Sequence, residues 1–192
     1  QEALPSGGAR NAVDCAYWDY LAKREGSRVS EMLGLDVQPI TTVFTIGIDD
    51  IDTMAANARA AKLHPRLKVK LDSDQPIEKM RAIRSERPDA NIIVDANQGW
   101  TIQQLKEIAP AFAELEIAMI EQPLVRGEDE ALEGFQSPVP LGADESCLNF
   151  SEFEKVSPYY DVINIKLDKA GGLTEGLKVG EAALRNGKTL MV

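Results

Sequence analysis

The stretch "NIIVDANQGWTIQQLKEIAPAFAELEIAMIEQPL", Asn91 to Leu124, contains one complete strand-helix-strand pattern. Two short aliphatic runs, at residues 92–95 and 117–121, flank a segment whose apolar residues recur at helical spacing. Each run ends on a carboxylate, Asp95 in the first and Glu121 in the second. Such a group needs a cation or several hydrogen-bond donors, because removing it from water is costly. The stretch therefore predicts a β-α-β unit whose two strands end at a charged site.

The same alternation extends along most of the chain. Short runs rich in aliphatic and β-branched residues predict seven strands, at Thr41 to Ile48, Leu67 to Leu71, Ile92 to Asp95, Ile117 to Glu121, Pro140 to Asp144, Val162 to Lys166 and Thr189 to Val192. Apolar residues at intervals of three and four predict helices over residues 9–26, 51–63, 74–86, 101–115 and 174–187. Asp74 and Thr101 are predicted N-caps, with Gln104 completing a capping box, and Gly187 is a predicted helix end.

Strand and helix repeat every 22 to 26 residues in the middle of the chain, which predicts a parallel sheet. Each return to a parallel strand needs a crossover, usually a helix. An open doubly wound sheet and a (β/α) barrel both have this pattern. No Gly-x-Gly-x-x-Gly turn follows any strand, which argues against a dinucleotide-binding sheet. We therefore expect an α/β protein with a parallel sheet, and both architectures stay open at this point.

The composition excludes several classes of protein. With 44% hydrophobic and 27% charged residues, a globular domain with a packed core is expected. The net charge of −10, with dispersed Lys and Arg, argues against nucleic acid or a membrane surface as a partner. No apolar run is long enough to span a bilayer and no signal peptide is evident, so a cytoplasmic location is expected. Cys15 and Cys147 are too far apart in sequence for a metal knuckle or a disulfide framework.

Three acidic residues at successive strand ends predict a metal site. Asp95, Glu121 and Asp144 follow one another at intervals of 26 and 23 residues. In a barrel, the carboxyl ends of the strands converge on one rim, where the active sites of that fold lie. Three carboxylates gathered there would repel one another, and a divalent cation removes that repulsion. Oxygen ligands without a nearby histidine suit Mg²⁺ or Mn²⁺ better than Zn²⁺.

Two lysines come from the strands that flank these carboxylates. Lys70 precedes Asp95 by 25 residues and Lys166 follows Asp144 by 22. We expect the two amines to face each other across the mouth of the barrel, with a metal-bound substrate between them. An amine held beside a divalent cation and away from water gives up its proton more readily, so it can act as a base near neutral pH.

Three further polar residues are candidate substrate contacts. Lys68 projects to the same side as Lys70, because side chains alternate along a strand, and either pairs with a substrate anion or forms a structural ion pair. Asn97 shares a side with Asp95, and Asp168 lies two positions after Lys166. The acidic stretch "RGEDEALE", residues 126–133, is expected to be solvated.

An ordered set of short motifs resembles a known family. Lys68-Val69-Lys70, "DAN" at Asp95, "EQP" at Glu121, "ADES" around Asp144 and "KLDKAGGL" from Lys166 are similar to the muconate-lactonising subgroup of the enolase superfamily. Within that subgroup, "TTVFTIGI", "ADESC" and "NIKLDKAGGLTE" resemble the dipeptide epimerases. The resemblance covers nearly the whole chain. Each motif alone is weak, but their common order and spacing is specific.

The resemblance implies a Mg²⁺-dependent isomerase that inverts the α-carbon of a dipeptide of the L-Ala-D/L-Glu type. Lys70 and Lys166 would be the acid/base pair that removes and returns the α-proton on opposite faces, through an enediolate. The resemblance makes Asp95, Glu121 and Asp144 the metal ligands. It also implies that residues 1–192 form a partial (β/α) barrel catalytic domain of the enolase superfamily. An N-terminal capping domain and the last barrel strand, with its Asp-x-Asp motif, would then be absent from this chain. The oligomeric state stays open, with a homo-oligomer among the options.

Three alternatives remain at this stage. An o-succinylbenzoate synthase or a muconate cycloisomerase-like enzyme would use the same five residues without inverting a dipeptide. A lysine Schiff-base aldolase on a similar barrel would be indifferent to a chelator. An inactive structural or binding fragment would bind Mg²⁺ weakly or not at all.

Overall fold

The computed structural model describes residues 4–192, which form seven strands and eight α-helices. The strands are β1 (Phe44–Ile46), β2 (Arg66–Lys70), β3 (Asn91–Asp95), β4 (Ile117–Glu121), β5 (Leu141–Ala143), β6 (Val162–Asn164) and β7 (Thr189–Met191). The helices are α1 (Gly8–Glu25), α2 (Val29–Met32), α3 (Ile51–Ala60), α4 (Pro76–Glu86), α5 (Ile102–Glu114), α6 (Phe150–Val156), α7 (Leu167–Ala170) and α8 (Leu173–Arg185). Two short 3₁₀ helices, Asp129–Leu132 and Ser157–Tyr159, complete the list. Between residues 4 and 192, no helix is both long and apolar enough to cross a bilayer.

All seven predicted strands and all five predicted helices are present, with ends that differ by a few residues. The capping box of α5 is confirmed, since Thr101 Oγ1 accepts a hydrogen bond from the Gln104 backbone N–H at 3.3 Å. The predicted cap of α4 is wrong. Its N-cap is Gln75, whose backbone is left-handed at φ 47°, and Asp74 instead lies 3.4 Å from Lys79 Nζ.

The chain divides into two compact units. The first unit comprises residues 41–146 and 158–162, and the second comprises residues up to 40, 147–157 and 163–192. In the first unit, β1 to β5 lie next to one another in chain order and pair in parallel. An open doubly wound sheet reverses its strand order at a switch point, so the continuous order favours the (β/α) barrel. In the second unit β6 neighbours β7, and the Ile165 N–H donates to the Met191 carbonyl at 2.8 Å.

The core of the first unit lies between its strands and its helices. Fully buried aliphatic side chains come from consecutive strands, among them Leu67, Val69, Ile92, Val94 and Ile120. Residues two positions apart in a strand point to the same face, and these side chains also pair across the strands, so they line one face of the sheet. Lys68, Lys70 and Asp95 lie on the opposite face.

One arginine holds together the loops that lead into the strands of the first unit. The guanidinium of Arg84 donates to four backbone carbonyls at 2.7 to 3.1 Å, those of Arg87, Ala90, Leu115 and Glu116. Ala90 and Glu116 immediately precede β3 and β4. Arg84 therefore acts at the amino ends of the strands, opposite to the ends that carry the predicted site.

In the second unit, α1 packs along the start of α8 through polar contacts. Trp18 Nε1 donates to Thr174 Oγ1, and the Thr174 N–H donates to Asp14 Oδ2, both at 2.9 Å. The apolar residues that share the other face of α1, including Tyr17 and Tyr20, are more than half exposed. The buried side of α1 is therefore the one that carries Asp14 and Ala22.

Candidate active site

The register of the first unit aligns three of the predicted residues in one row. Lys70 pairs with Asp95, Asp95 with Glu121, and Glu121 with Gly142 across four neighbouring strands. Paired residues in adjacent parallel strands lie about 4.8 Å apart and project to the same side. Asp144 directly follows the last residue of β5, Ala143, and so lies at the same edge of the sheet. The carboxyl ends of β2 to β5 thus bring the base candidate and the three acidic candidates to one edge.

An irregularity in β4 makes this alignment. Ile92 pairs with Ile117, but Ile93 pairs with Met119, so Ala118 is an extra residue in β4. A regular ladder that continued from Ile92 would place Ile120, and not Glu121, opposite Asp95. A shift of one residue turns a side chain to the other face of the sheet. A β-bulge inserts one extra residue into one strand and so produces such a shift in register locally. The bulge at Ala118 is therefore the feature that sets the two carboxylates side by side.

Lys68 lies between the first two carboxylates. Its Nζ is 3.0 Å from Asp95 Oδ2 and 2.5 Å from Glu121 Oε2, and its side chain is 11% exposed. The ion pair is one of the two alternatives that the sequence leaves open. Contact between Lys68 and a substrate stays a prediction.

Lys68 and Asp95 stabilise each other's charged form. Burial by itself lowers the pKa of Lys68, but the hydrogen bonds and charges of Glu121 and Asp95 outweigh it and raise that pKa. Burial by itself raises the pKa of Asp95, whereas Lys68, the Asn97 N–H and the charge of Lys70 together lower it below the usual range. Lys68 and Asp95 are therefore a charged pair at neutral pH.

The amine of Lys70 contacts two oxygen atoms, and its side chain is still accessible to solvent. Its Nζ lies 3.2 Å from Asp95 Oδ2 and donates to Asn97 Oδ1 at 2.5 Å, while its side chain is 38% exposed. The Asn97 N–H in turn donates to Asp95 Oδ1 at 2.9 Å. Lys68 and Lys70 both contact the same oxygen of Asp95, which confirms that they project to one side. Asn97 orients Lys70 and Asp95 here, and its contact with a substrate stays a prediction.

Sequence reasoning missed Gln122, which organises the loop of Asp144. Its side chain is fully buried, and its Oε1 accepts hydrogen bonds from the backbone N–H groups of Asp144 and Ser146, both at 3.0 Å. Its Nε2 donates to the Leu124 carbonyl at 2.9 Å and to Ser146 Oγ at 2.8 Å. The motif "EQP" marks only Glu121 by its charge, so no sequence signal distinguishes Gln122 from a surface glutamine.

The expectation that residues 126–133 are solvated is wrong for Asp129, which is 5% exposed. Its Oδ1 accepts hydrogen bonds from Ser146 Oγ and from the Tyr160 hydroxyl, both at 2.6 Å. A buried carboxylate is tolerated when several donors meet it, and the 3₁₀ helix that starts at Asp129 turns this one inward. Burial, followed by the hydrogen bond and charge of Asp129, raises the pKa of Tyr160.

Lys166 and Asp168 lie in the second unit. Lys166 is the N-cap residue of α7, two positions after the end of β6, and Asp168 is in the first turn of that helix. The chain is helical from Leu167, so Asp168 does not continue an extended strand after Lys166. The position of Lys166 opposite Lys70 stays a prediction.

The predicted metal ligands have the chemistry that Mg²⁺ requires. Asp95, Glu121 and Asp144 are each at most 2% exposed, and they offer only carboxylate oxygen atoms. Buried carboxylates need cations or several hydrogen-bond donors, and a hard divalent cation prefers such oxygen ligands. As the side chains stand, no group of three or more His, Cys, Asp or Glu residues within residues 4–192 is arranged around a metal position. Lys68 lies between two of the three carboxylates in this arrangement.

Comparison with known proteins yields one family and several enzymes. The family model of enolase C-terminal domain-like proteins matches residues 51–192. The chain is 43% identical to the L-Ala-D/L-Glu epimerase of Escherichia coli K12 over 198 residues, which covers 100% of this chain and 61% of that enzyme. It is 41% identical to the N-acetyl-D-glutamate racemase of a Pseudoalteromonas species, covering 98% of this chain and 60% of the racemase.

A solved structure gives the same relationship. The dipeptide epimerase from Enterococcus faecalis V583, complexed with Mg and the dipeptide L-Leu-L-Tyr, superposes with a TM-score of 0.91 at 30% identity. The match covers 97% of this chain and 55% of that one. This chain spans about three fifths of the length of the curated relatives it matches. The family resemblance and the barrel fold predicted from the motifs are confirmed, and the chain belongs to the enolase C-terminal domain-like family.

Proposed function

We propose that the full-length protein is a Mg²⁺-dependent isomerase that inverts the α-carbon of a dipeptide of the L-Ala-D/L-Glu type. The observation that carries the proposal is the row of Lys70, Asp95 and Glu121, in which one reachable amine adjoins buried carboxylates. The identity of 43% to an enzyme named for this reaction supports the same conclusion. A cytoplasmic location, expected from the sequence, is part of the proposal.

Asp95, Glu121 and Asp144 would hold the metal ion. The proposal rests on their burial, on their oxygen-only chemistry and on the Mg in the structure of the Enterococcus relative. Mg²⁺, when bound, supplies positive charge that stabilises the negative charge developing on the substrate carboxylate. A Lys or His base working beside Mg²⁺ is the established pattern in the enolase superfamily, so this part of the proposal is carried over from the family.

Lys70 and Lys166 would move the protons. Lys70, as a neutral amine, takes the α-proton from one face of the substrate, and Lys166, as an ammonium group, donates a proton to the opposite face. The configuration at the α-carbon inverts, and the two lysines end with exchanged protonation states. In the reverse reaction their roles are exchanged. The hydrogen bonds of Lys70 to Asp95 and Asn97 fix the direction of its Nζ, which a positioned base requires.

Lys68, Asn97 and Asp168 are the proposed substrate contacts. Lys68 already faces Glu121 and Asp95, so its ammonium group would add positive charge beside the substrate carboxylate. Asn97 would contribute its side-chain amide from the loop after β3. Asp168, exposed in the first turn of α7, would attract the cationic end of a dipeptide.

A second candidate function has one specific observation in its favour. The relative that is 41% identical is named for racemisation of N-acetyl-D-glutamate, an acylated amino acid without a free amino group. The same proton transfers would serve both substrates, because each carries a carboxylate next to the reacting carbon.

Proton exchange in D₂O tests the proposal and separates the two substrates. The full-length protein is incubated with Mg²⁺ and either L-Ala-L-Glu or N-acetylglutamate, and deuterium at the α-carbon is followed by NMR. We expect incorporation together with inversion, loss of both after addition of EDTA, and loss of inversion in Lys70→Met. Failure of deuterium to enter either substrate would overturn the proposal, and incorporation only into N-acetylglutamate would select the second candidate.

A further inference from the structure

Gln122 has a backbone conformation that glutamine rarely adopts. Its φ is 39°, in the left-handed region, although it directly follows strand β4. Such a conformation in a residue other than glycine is strained and persists where the surroundings enforce it. The side chain of Gln122 is fully buried.

The backbone of Gln122 is fixed from both sides. Its N–H donates to the Gly142 carbonyl in β5 at 2.8 Å, and its carbonyl accepts from the Gln98 N–H in the loop after β3, also at 2.8 Å. One residue thus joins the strand ends that carry Asp95 and Asp144 to the strand that carries Glu121.

The side chain adds a second connection to the Asp144 loop. Oε1 is shared by the N–H groups of Asp144 and Ser146, and Nε2 is shared by the Leu124 carbonyl and Ser146 Oγ. The two halves of the amide therefore face different partners, donors on one side and acceptors on the other. The hydroxyl of Ser146 donates its proton to Asp129, so Ser146 Oγ accepts from the Gln122 amide. The amide therefore has one favourable orientation.

We infer that Gln122 is a positioning residue for the metal site. It fixes the backbone of Asp144 relative to Glu121, its own neighbour in the chain, and so sets the separation of two carboxylates that would hold the cation. This inference rests on the proposed function, because it requires that these carboxylates bind Mg²⁺. Groups that orient metal ligands typically change metal affinity by about 10-fold to 100-fold when they are removed.

Calorimetric titration of the full-length protein with Mg²⁺ tests the inference. The variant Gln122→Met keeps the side-chain length and removes the amide. We expect its Kd for Mg²⁺ to rise by about 10-fold or more. The matched control is Arg84→Lys, which loses backbone hydrogen bonds in the same unit but at the opposite ends of the strands. We expect it to lower the free energy of unfolding in urea and to leave the Kd unchanged.

The outcomes separate the two levels of the proposal. A wild-type protein that does not bind Mg²⁺ overturns both the proposed function and this inference. Binding by the wild type, with an unchanged Kd in Gln122→Met, overturns the inference alone. A Kd that rises equally in Gln122→Met and Arg84→Lys also overturns it, because general destabilisation would then explain both. If Gln122→Met does not fold, Ser146→Ala decides: a weaker Kd supports the inference and an unchanged Kd overturns it.

Discussion

Lys68 and Glu121 form an ion pair in which Nζ lies 2.5 Å from Oε2, with the lysine side chain 11% exposed and the glutamate fully buried. The same ammonium group lies 3.0 Å from Asp95 Oδ2. One internal cation is therefore shared by two of the three carboxylates that we propose as Mg²⁺ ligands. Lys68 compensates part of their negative charge within the chain itself.

Replacement of Lys68 is expected to destabilise the metal-free protein. Lys68→Met leaves the buried Glu121 carboxylate without its ammonium partner, and breaking a buried pair on one side costs about 3 to 5 kcal/mol. Mg²⁺ should restore part of this loss, because a ligand that binds only the folded state stabilises it. Thermal unfolding with EDTA and with Mg²⁺ measures both effects. The exposed Lys62→Met is the control, and equal unfolding temperatures for the two variants would contradict the prediction.

Tyr160 is expected to make the fold sensitive to alkaline pH. Burial and Asp129 raise its pKa, so the tyrosine ionises in the unfolded chain, near pH ~10, before it ionises in the folded one. The resulting stability is fully present below that pH and is lost as the pH rises above it. Tyr160→Phe removes the group that titrates, so the free energy of unfolding should fall less between about pH 9 and about pH 11.

Urea unfolding across this pH range checks the prediction for Tyr160. The control is Tyr17→Phe, which changes an exposed hydroxyl and should keep the wild-type slope. At neutral pH, Tyr160→Phe should be less stable than the wild type by about 1 kcal/mol, because Asp129 loses one hydrogen bond. A Tyr160→Phe variant with the wild-type slope would show that another group causes the alkaline loss.

The features that the sequence could predict are local or periodic. The strands that end at Asp95 and Glu121 are aliphatic runs of ordinary length, and α5 carries its own capping box at Thr101. The location of Lys70 and the three carboxylates at one edge of the sheet was predictable, because parallel strands bring their carboxyl ends to one edge, whatever the exact register.

The features that could not be predicted depend on contacts distant in sequence. Nothing in residues 117–121 signals that Ala118 bulges, because the bulge exists only relative to β3. Asp129 lies among acidic neighbours and becomes buried through Tyr160, 31 positions away. Asp74 has the residue type of an N-cap, but the left-handed Gln75 displaces the cap by one position. The first two cases depend on tertiary structure that overrides a local preference, whereas the third is a local backbone conformation that the residue types do not signal.

Arg84 is expected to contribute to stability and not to metal binding. Its guanidinium donates to four carbonyls near the amino ends of β3 and β4, and Arg84→Lys keeps the charge but cannot donate to all four. At about 1 kcal/mol for each bond lost, we expect the free energy of unfolding to fall by about 2 to 3 kcal/mol. Urea denaturation measures this change. An unchanged midpoint would show that water replaces the guanidinium without loss.

Single replacements of the two lysines should separate proton exchange from inversion. In the proposed mechanism, Lys70 alone can still remove the α-proton of one epimer in Lys166→Met, so that epimer should exchange with D₂O while its configuration is retained. With Lys70→Met, exchange should survive only for the opposite epimer. Inversion should fall by about 10²-fold to 10⁴-fold in both variants, as expected for loss of a general acid or base. NMR for deuterium and polarimetry for configuration measure the two rates separately. Exchange of the same epimer in both variants would place the lysines on one face and exclude the two-base mechanism.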